Sequence, residues 1–370
     1  MNKFSKAICF LTIMTFFSCT ENNNPVEPVS NKEWKMIAEF SELKSPLIHF
    51  FDENEGMIAG KVYYDEPILT TTILSPPWAN NTEIVFPELI DSTSEPKYPL
   101  WKTYDGGITW TPIKGFFSTS IIDMNFIDDL VGFLVTDYEG VYKTLDGGES
   151  WFRIMGSEIR FYSPGSMSSS SPLEINFYDS MNGILIMSRG PNDFSYLSTT
   201  DGGINWAFNY SPYIIEKVLF PEKNVKIGYA TNYQSILKTS DGGNTWNSVT
   251  DYNLSYSFAF LDHNNWVLHK DHKLYWTSDG GNSFSIVHDF EDPKLYSPFL
   301  HDISKVYYSN KIFYLTNHEG IRVSADSCRS FILIPLEQLP FHDISIPNEN
   351  IFYGTTNNTG KIYKYVDRKR

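Results

Sequence analysis

Trp101-Lys102-Thr103-Tyr104-Asp105-Gly106-Gly107-Ile108-Thr109-Trp110 recurs in register along the chain. It returns as Tyr142-Lys143-Thr144-Leu145-Asp146-Gly147-Gly148-Glu149-Ser150-Trp151, and again in the segments centred on Asp201-Gly202-Gly203, Asp241-Gly242-Gly243 and Asp279-Gly280-Gly281. A worn copy, Arg322-Val323-Ser324-Ala325-Asp326-Ser327-Cys328-Arg329-Ser330-Phe331, has lost both glycines. Residues before each aspartate alternate as a half-buried strand does. Asp-Gly-Gly is turn chemistry: the glycines supply positive φ and the carboxylate can accept N–H groups across the bend. The closing Trp or Phe starts the next strand and can lay its ring over the turn.

Upstream of each phrase lie two more strands joined by a polar bend, such as Ile122–Phe126 and Gly132–Thr136. One unit is therefore four strands, with the aspartate turn between the third and the fourth. Successive aspartates lie 41, 55, 40, 38 and 47 residues apart, the length of a propeller blade. Counting units gives seven. The last, with strands at Asp343–Ile346, Ile351–Gly354 and Lys361–Tyr365, lacks its fourth strand, and Trp34–Ile37 near the other end has no third strand of its own. The expectation is an all-β, seven-bladed propeller of four-stranded antiparallel blades over residues 33–370, closed by the N-terminal strand, with an insertion at 61–98 in the first blade. Closure of this kind removes open sheet edges.

Length and composition agree with one large β domain. The chain has 370 residues, 16% aromatic, with 44 Asp and Glu against 29 Lys and Arg, for a net charge of −15. That balance argues against a nucleic-acid partner, because phosphate binding needs a basic face. Three cysteines cannot build a disulfide framework or a Cys-rich metal site, and no metal-ligand spacing or phosphate loop is present, so no metal and no cofactor is expected. Lys3 and Lys6 precede an apolar run, Ala7–Phe17, of signal-peptide length. The sequence Thr15-Phe16-Phe17-Ser18-Cys19 that follows resembles a bacterial lipobox of the Bacteroidetes type. The resemblance implies a signal peptide at 1–18, lipidation of Cys19, and an Asn- and Pro-rich tether at 19–32. A lipid-anchored monomer in the cell envelope, at the outer membrane, is the expected localisation.

The repeated phrase resembles the Asp-box repeats of sialidases, sortilin-like receptors and xyloglucan hydrolases. The layout looks most like the photosystem II stability/assembly-factor-like propellers. That resemblance covers about residues 33–367 and speaks for fold far more than for activity. Asp105, Asp146, Asp201, Asp241, Asp279 and Asp326 recur once per blade, whereas glycosidase carboxylates flank one bond, so a structural role is expected of them. The sialidase family begins with an Arg-Ile-Pro motif, yet the first arginine here is Arg153, in the second blade. Cys328, standing where a turn glycine belongs, reads as inert.

What remains is a binding surface in the loops opposite the aspartate turns. Tyr64 and Trp78 lie in the first-blade insertion, Arg160 and Tyr162 in the loop at 156–172, and Arg189 in another loop. Aromatics of this kind stack on sugars or anchor protein contacts, and arginines pair with carboxylate or hydroxyl groups. Trp78 and its neighbours could equally cap the first blade. The reading is a non-catalytic scaffold for a protein or glycan ligand; the alternative is a glycoside hydrolase or lyase with acidic residues in the loop face.

Overall fold

The computed structural model describes residues 34–62, 97–115, 120–137, 140–155, 172–187, 195–213, 215–231, 235–250, 258–270, 273–289, 305–309, 312–317, 320–335, 341–357 and 359–366. Within them every element is a β-strand. The first, β1 (Trp34–Glu39), stands apart in sequence from the sheet it joins. The first blade is β2 (Leu43–Phe50), β3 (Gly56–Val62), β4 (Leu100–Thr103) and β5 (Thr111–Pro112). The second is β6 (Ile121–Phe126), β7 (Gly132–Thr136), β8 (Val141–Thr144) and β9 (Phe152–Met155). The third is β10 (Pro172–Phe177), β11 (Gly183–Met187), β12 (Ser195–Thr199) and β13 (Ala207–Tyr210). The fourth is β14 (Lys217–Leu219), β15 (Gly228–Thr231), β16 (Ile236–Thr239) and β17 (Asn247–Thr250). The fifth is β18 (Phe258–Phe260), β19 (Trp266–Lys270), β20 (Lys273–Thr277) and β21 (Ser285–Asp289). The sixth is β22 (Lys305–Ser309), β23 (Ile312–Asn317), β24 (Gly320–Ser324) and β25 (Ile332–Pro335). The seventh holds β26 (Asp343–Asn348), β27 (Ile351–Thr355) and β28 (Lys361–Val366).

Seven four-stranded antiparallel sheets result, six of them in chain order and the seventh in the order β1-β28-β27-β26. β1 runs antiparallel to β28, pairing Trp34 with Tyr365 and Glu39 with Lys361. The two ends of the propeller therefore share one sheet, the closure expected from counting units.

Burial peaks in the second strand of a blade and falls off at its outer edge, as in the second blade. The second strands are buried on both faces: Phe133, Leu134 and Val135 are sealed, as are Ile184, Leu185 and Ile186. They read accordingly as continuous apolar runs rather than as alternation. Outer strands are half-exposed, as Phe152 and Phe208 show. Blades pack face to face through aromatic pairs. The rings of Phe50 and Tyr353 stack 3.5 Å apart across the closing junction, as do those of Phe133 and Phe177 between the second and third blades. The tryptophan that closes the first four phrases lies one residue before the outer strand, not in it, while its ring covers the turn as the sequence suggested. It is a lid on the turn: Trp110 donates its indole N–H to the Gly107 carbonyl at 3.0 Å, and Trp151 does the same to Gly148 at 3.1 Å.

Candidate functional site

The six aspartates occupy one recurring turn. At Asp105, Oδ1 accepts the Thr103 hydroxyl at 2.9 Å and the N–H groups of Ile108 and Thr109 at 3.0 and 2.8 Å. Oδ2 accepts the Thr109 hydroxyl at 2.6 Å, and the Thr103 oxygen in turn accepts the Gly107 N–H at 3.0 Å. Asp146, Asp201, Asp241 and Asp279 repeat this with Ser150, Asn205, Thr245 and Ser283 on Oδ2. The worn copy keeps it too: Asp326 binds Ser324 and Ser330, and Ser327 and Cys328 take φ of 60° and 65° in place of the glycines. With both oxygens of each carboxylate occupied, their acidity rises. The Thr109 hydroxyl and N–H hold Asp105 at about 2, and those of Ser283 do the same for Asp279.

Two further sets of contacts join blade to blade, and sequence reading missed both. A lysine on the third strand of the blade reaches the following blade. Lys102 donates to the Gly147 carbonyl at 2.8 Å, Lys143 to Ser180 at 3.1 Å, Lys238 to Gly280 at 3.2 Å and Lys364 to Gly106 at 3.2 Å. Lys102 is 1% exposed and also meets Glu55 and Glu149, each at 2.7 Å. The second set lies on the innermost strands. Asp343 accepts the Ile48 N–H at 3.0 Å, Asp123 that of Ile175 at 2.9 Å and Glu174 that of Val218 at 3.2 Å. Two residues on, Ser345 and Asn125 accept from Phe50 and Phe177. Between the first and second blades the clamp is a ring instead: His49 stacks on Phe126, centroids 4.9 Å apart. The signals were present, as the lysine in the repeated phrase and as the polar residue at alternate positions of the first strand.

Tyr64, Trp78, Arg160, Tyr162, Arg189 and Cys19 lie outside the described residues. Among the described residues no group of three or more His, Cys, Asp or Glu side chains is placed to hold a metal ion.

A ring of this form defines a class, the seven-bladed β-propeller, and solved structures share it. One, of "YCF48 bound to D1 peptide", matches with a TM-score of 0.57 and 16% identity over 91% of this chain and 97% of that one. YCF48 from Cyanidioschyzon merolae matches at 0.55 and 16%, over 90% and 98%. The WD40 β-propeller domain of Doa1 matches at 0.55 and 9%, over 91% and 98%. Likeness at such identities establishes the fold alone. Comparison with protein-family models and with curated proteins finds no match.

Proposed function

We propose that the protein is a non-catalytic scaffold that binds a polypeptide partner, tethered to the cell envelope through a lipid on Cys19. The observation that carries the reading is the occupancy of the turn carboxylates. A group whose two oxygens are filled by its own turn, and whose acidity is raised, is a poor general acid or base at neutral pH. The acidic residues that recur most in this chain are thereby assigned to the fold. The polypeptide partner is supported by analogy of fold with the propeller solved with a peptide bound. The repeating turn is read as the Asp-box, and Cys19 as the lipidated residue of the signal at 1–18.

Two measurements test this. The purified chain, applied to a peptide array and a glycan array, should retain a defined set of peptides and no glycan. Retention of glycans alone, or release of sugar from any of them, would overturn the reading. In cells fed labelled palmitate the chain should take up label, and Cys19→Ala should not; label in the variant would remove the anchor.

A further inference from the structure

The turn face contrasts with itself from blade to blade. Three positions recur there: the bend residue whose carbonyl accepts the first turn glycine, the residue before the aspartate, and the residue after the glycines. In the second blade the Gly147 N–H donates to Leu130 at 2.9 Å, and in the third the Gly202 N–H donates to Met181 at 2.7 Å. The same bond in the fourth and fifth blades goes to Lys226 and Asn264. Before the aspartate stand Tyr104 and Leu145 in the first two blades, against Ser240 and Ser278 in the fourth and fifth. After the glycines stand Ile108 and Ile204 in the first and third, against Asn244 and Asn282.

All six apolar side chains are exposed, Ile108 by 75% and Ile204 by 71%. None is needed to make the turn, since the fourth and fifth blades make it with Ser, Asn and Lys at the same positions and the same carboxylate bonds. The three blades that carry them are consecutive and are latched together by Lys102 and Lys143. Around them Glu53, Asp128, Asp129 and Glu149 are exposed. Of the cations on this face, Lys102 lies buried between Glu55 and Glu149, and Lys143 and Lys364 point at carbonyls, while Lys223 and Lys226 are exposed at the fourth-blade margin. Apolar side chains set in a field of excess carboxylate complement a segment that mixes apolar residues with Lys or Arg.

We infer that the aspartate-turn face of the first three blades docks a basic, apolar-bearing polypeptide segment. This rests on the reading of the protein as a polypeptide-binding scaffold and adds the surface and the partner's chemistry. A second copy of this chain, at net charge −15, and an anionic membrane would both be repelled by the same carboxylates.

The repeat supplies its own test. In the full chain, Ile108→Asn, Leu145→Ser and Ile204→Asn together install residues that the fourth and fifth blades already carry in a folded turn. The probe is a short fluorescent peptide alternating lysine and leucine, with serine-for-leucine and glutamate-for-lysine counterparts. The lysine-leucine peptide should bind best, and the triple variant should weaken it about tenfold or more at an unchanged melting midpoint. Equal binding to the variant would overturn this face while leaving the scaffold reading intact. Preference for the glutamate peptide would overturn the partner's chemistry. A dimer, or binding to phosphatidylglycerol vesicles, that the triple variant abolishes would give the face to another occupant. Failure of every array peptide to bind would instead sink the scaffold reading itself. If the triple variant melts early, Ile204→Asn alone decides by the same readout.

Discussion

Carboxylates on the rim and carboxylates on the inner wall of this propeller do opposite things. A rim aspartate such as Asp279 is surrounded by donors from its own turn, and its proton is driven off to about 2. An inner-wall carboxylate accepts one N–H from the next blade and then faces its own kind around the ring. Burial raises Asp123 despite its bond from Ile175, and Glu174 is raised by burial and by the nearby charge of Asp123, with Lys217 opposing in both cases. His49, on the same wall, is pushed by burial down to about 4. Carboxylates stand in both places, and burial on the wall against turn donors at the open rim decides the outcome. Rim carboxylates staple turns; wall carboxylates clamp blades and hold their protons closer to neutral pH.

The contrast breaks most visibly at the rim. Thr239 is 1% exposed, donates to Asp241 at 2.7 Å and accepts the buried Gly243 N–H at 2.8 Å. Thr239→Val keeps the shape and strands both partners, so a loss of about 2–3 kcal/mol is expected in denaturant unfolding. Asp241→Ala removes the staple but leaves its donors nearer to water, and should cost about 1–2 kcal/mol. If both substitutions are silent, the rim carboxylates are not structural and their role must be sought in binding.

The two sets of carboxylates also give stability opposite slopes in pH. Rim aspartates have folded pKa values below their unfolded ones, so their contribution is present above about pH 4 and is lost as pH falls toward about 2. His49, also depressed, adds to that acid limb from its ordinary 6.5 downward. Asp123 and Glu174 are raised, so their contribution is present in acid and is lost as pH climbs above the ordinary carboxylate range. Glu174→Gln keeps an oxygen for the Val218 N–H and removes the charge facing Asp123. It should gain on the order of 1 kcal/mol at alkaline pH and flatten that limb of the melting profile, leaving the acid limb unchanged. An alkaline limb identical to that of the parent chain would show that the wall carboxylates are not coupled.

How much of this could be read from the sequence follows from the range of each interaction. Asp241-Gly242-Gly243 announces its turn because the turn is local: carboxylate, positive φ and closing tryptophan sit within six residues. Closure by Trp34–Glu39 was legible from counting units, since the seventh lacked an outer strand. The Ser, Thr or Asn four residues after each aspartate was equally visible, yet its role as the Oδ2 donor emerges only with the backbone folded round it. Asp123 and Asn125 alternate as any half-buried strand does, and nothing local says that their partners lie 52 residues away on the next blade. The loop residues chosen as binding candidates, Trp78 and Arg160 among them, lie outside the described residues, whereas Leu145 and Ile204 were in plain view within the repeated phrase. Their significance needed the turn geometry, which shows that the fold does not require them apolar.

The smallest expected effect approaches the rim from the other side. In the sixth blade the staple is complete, with Asp326 accepting the Ser330 hydroxyl at 2.6 Å, but the backbone beneath it is strained. Ser327 holds φ at 60°, a conformation that costs a residue with a Cβ about 1–2 kcal/mol. Glycine there would relieve the strain and lose part of the gain to a more flexible unfolded chain. Ser327→Gly should therefore stabilise by about 0.5 kcal/mol, and because the substitution touches no carboxylate, it should shift the whole pH profile upward without changing its shape. A change of slope at the acid end would mean that the strain and the lowered acidity of Asp326 are linked, and that rim staples in this blade depend on the backbone that the glycines set elsewhere.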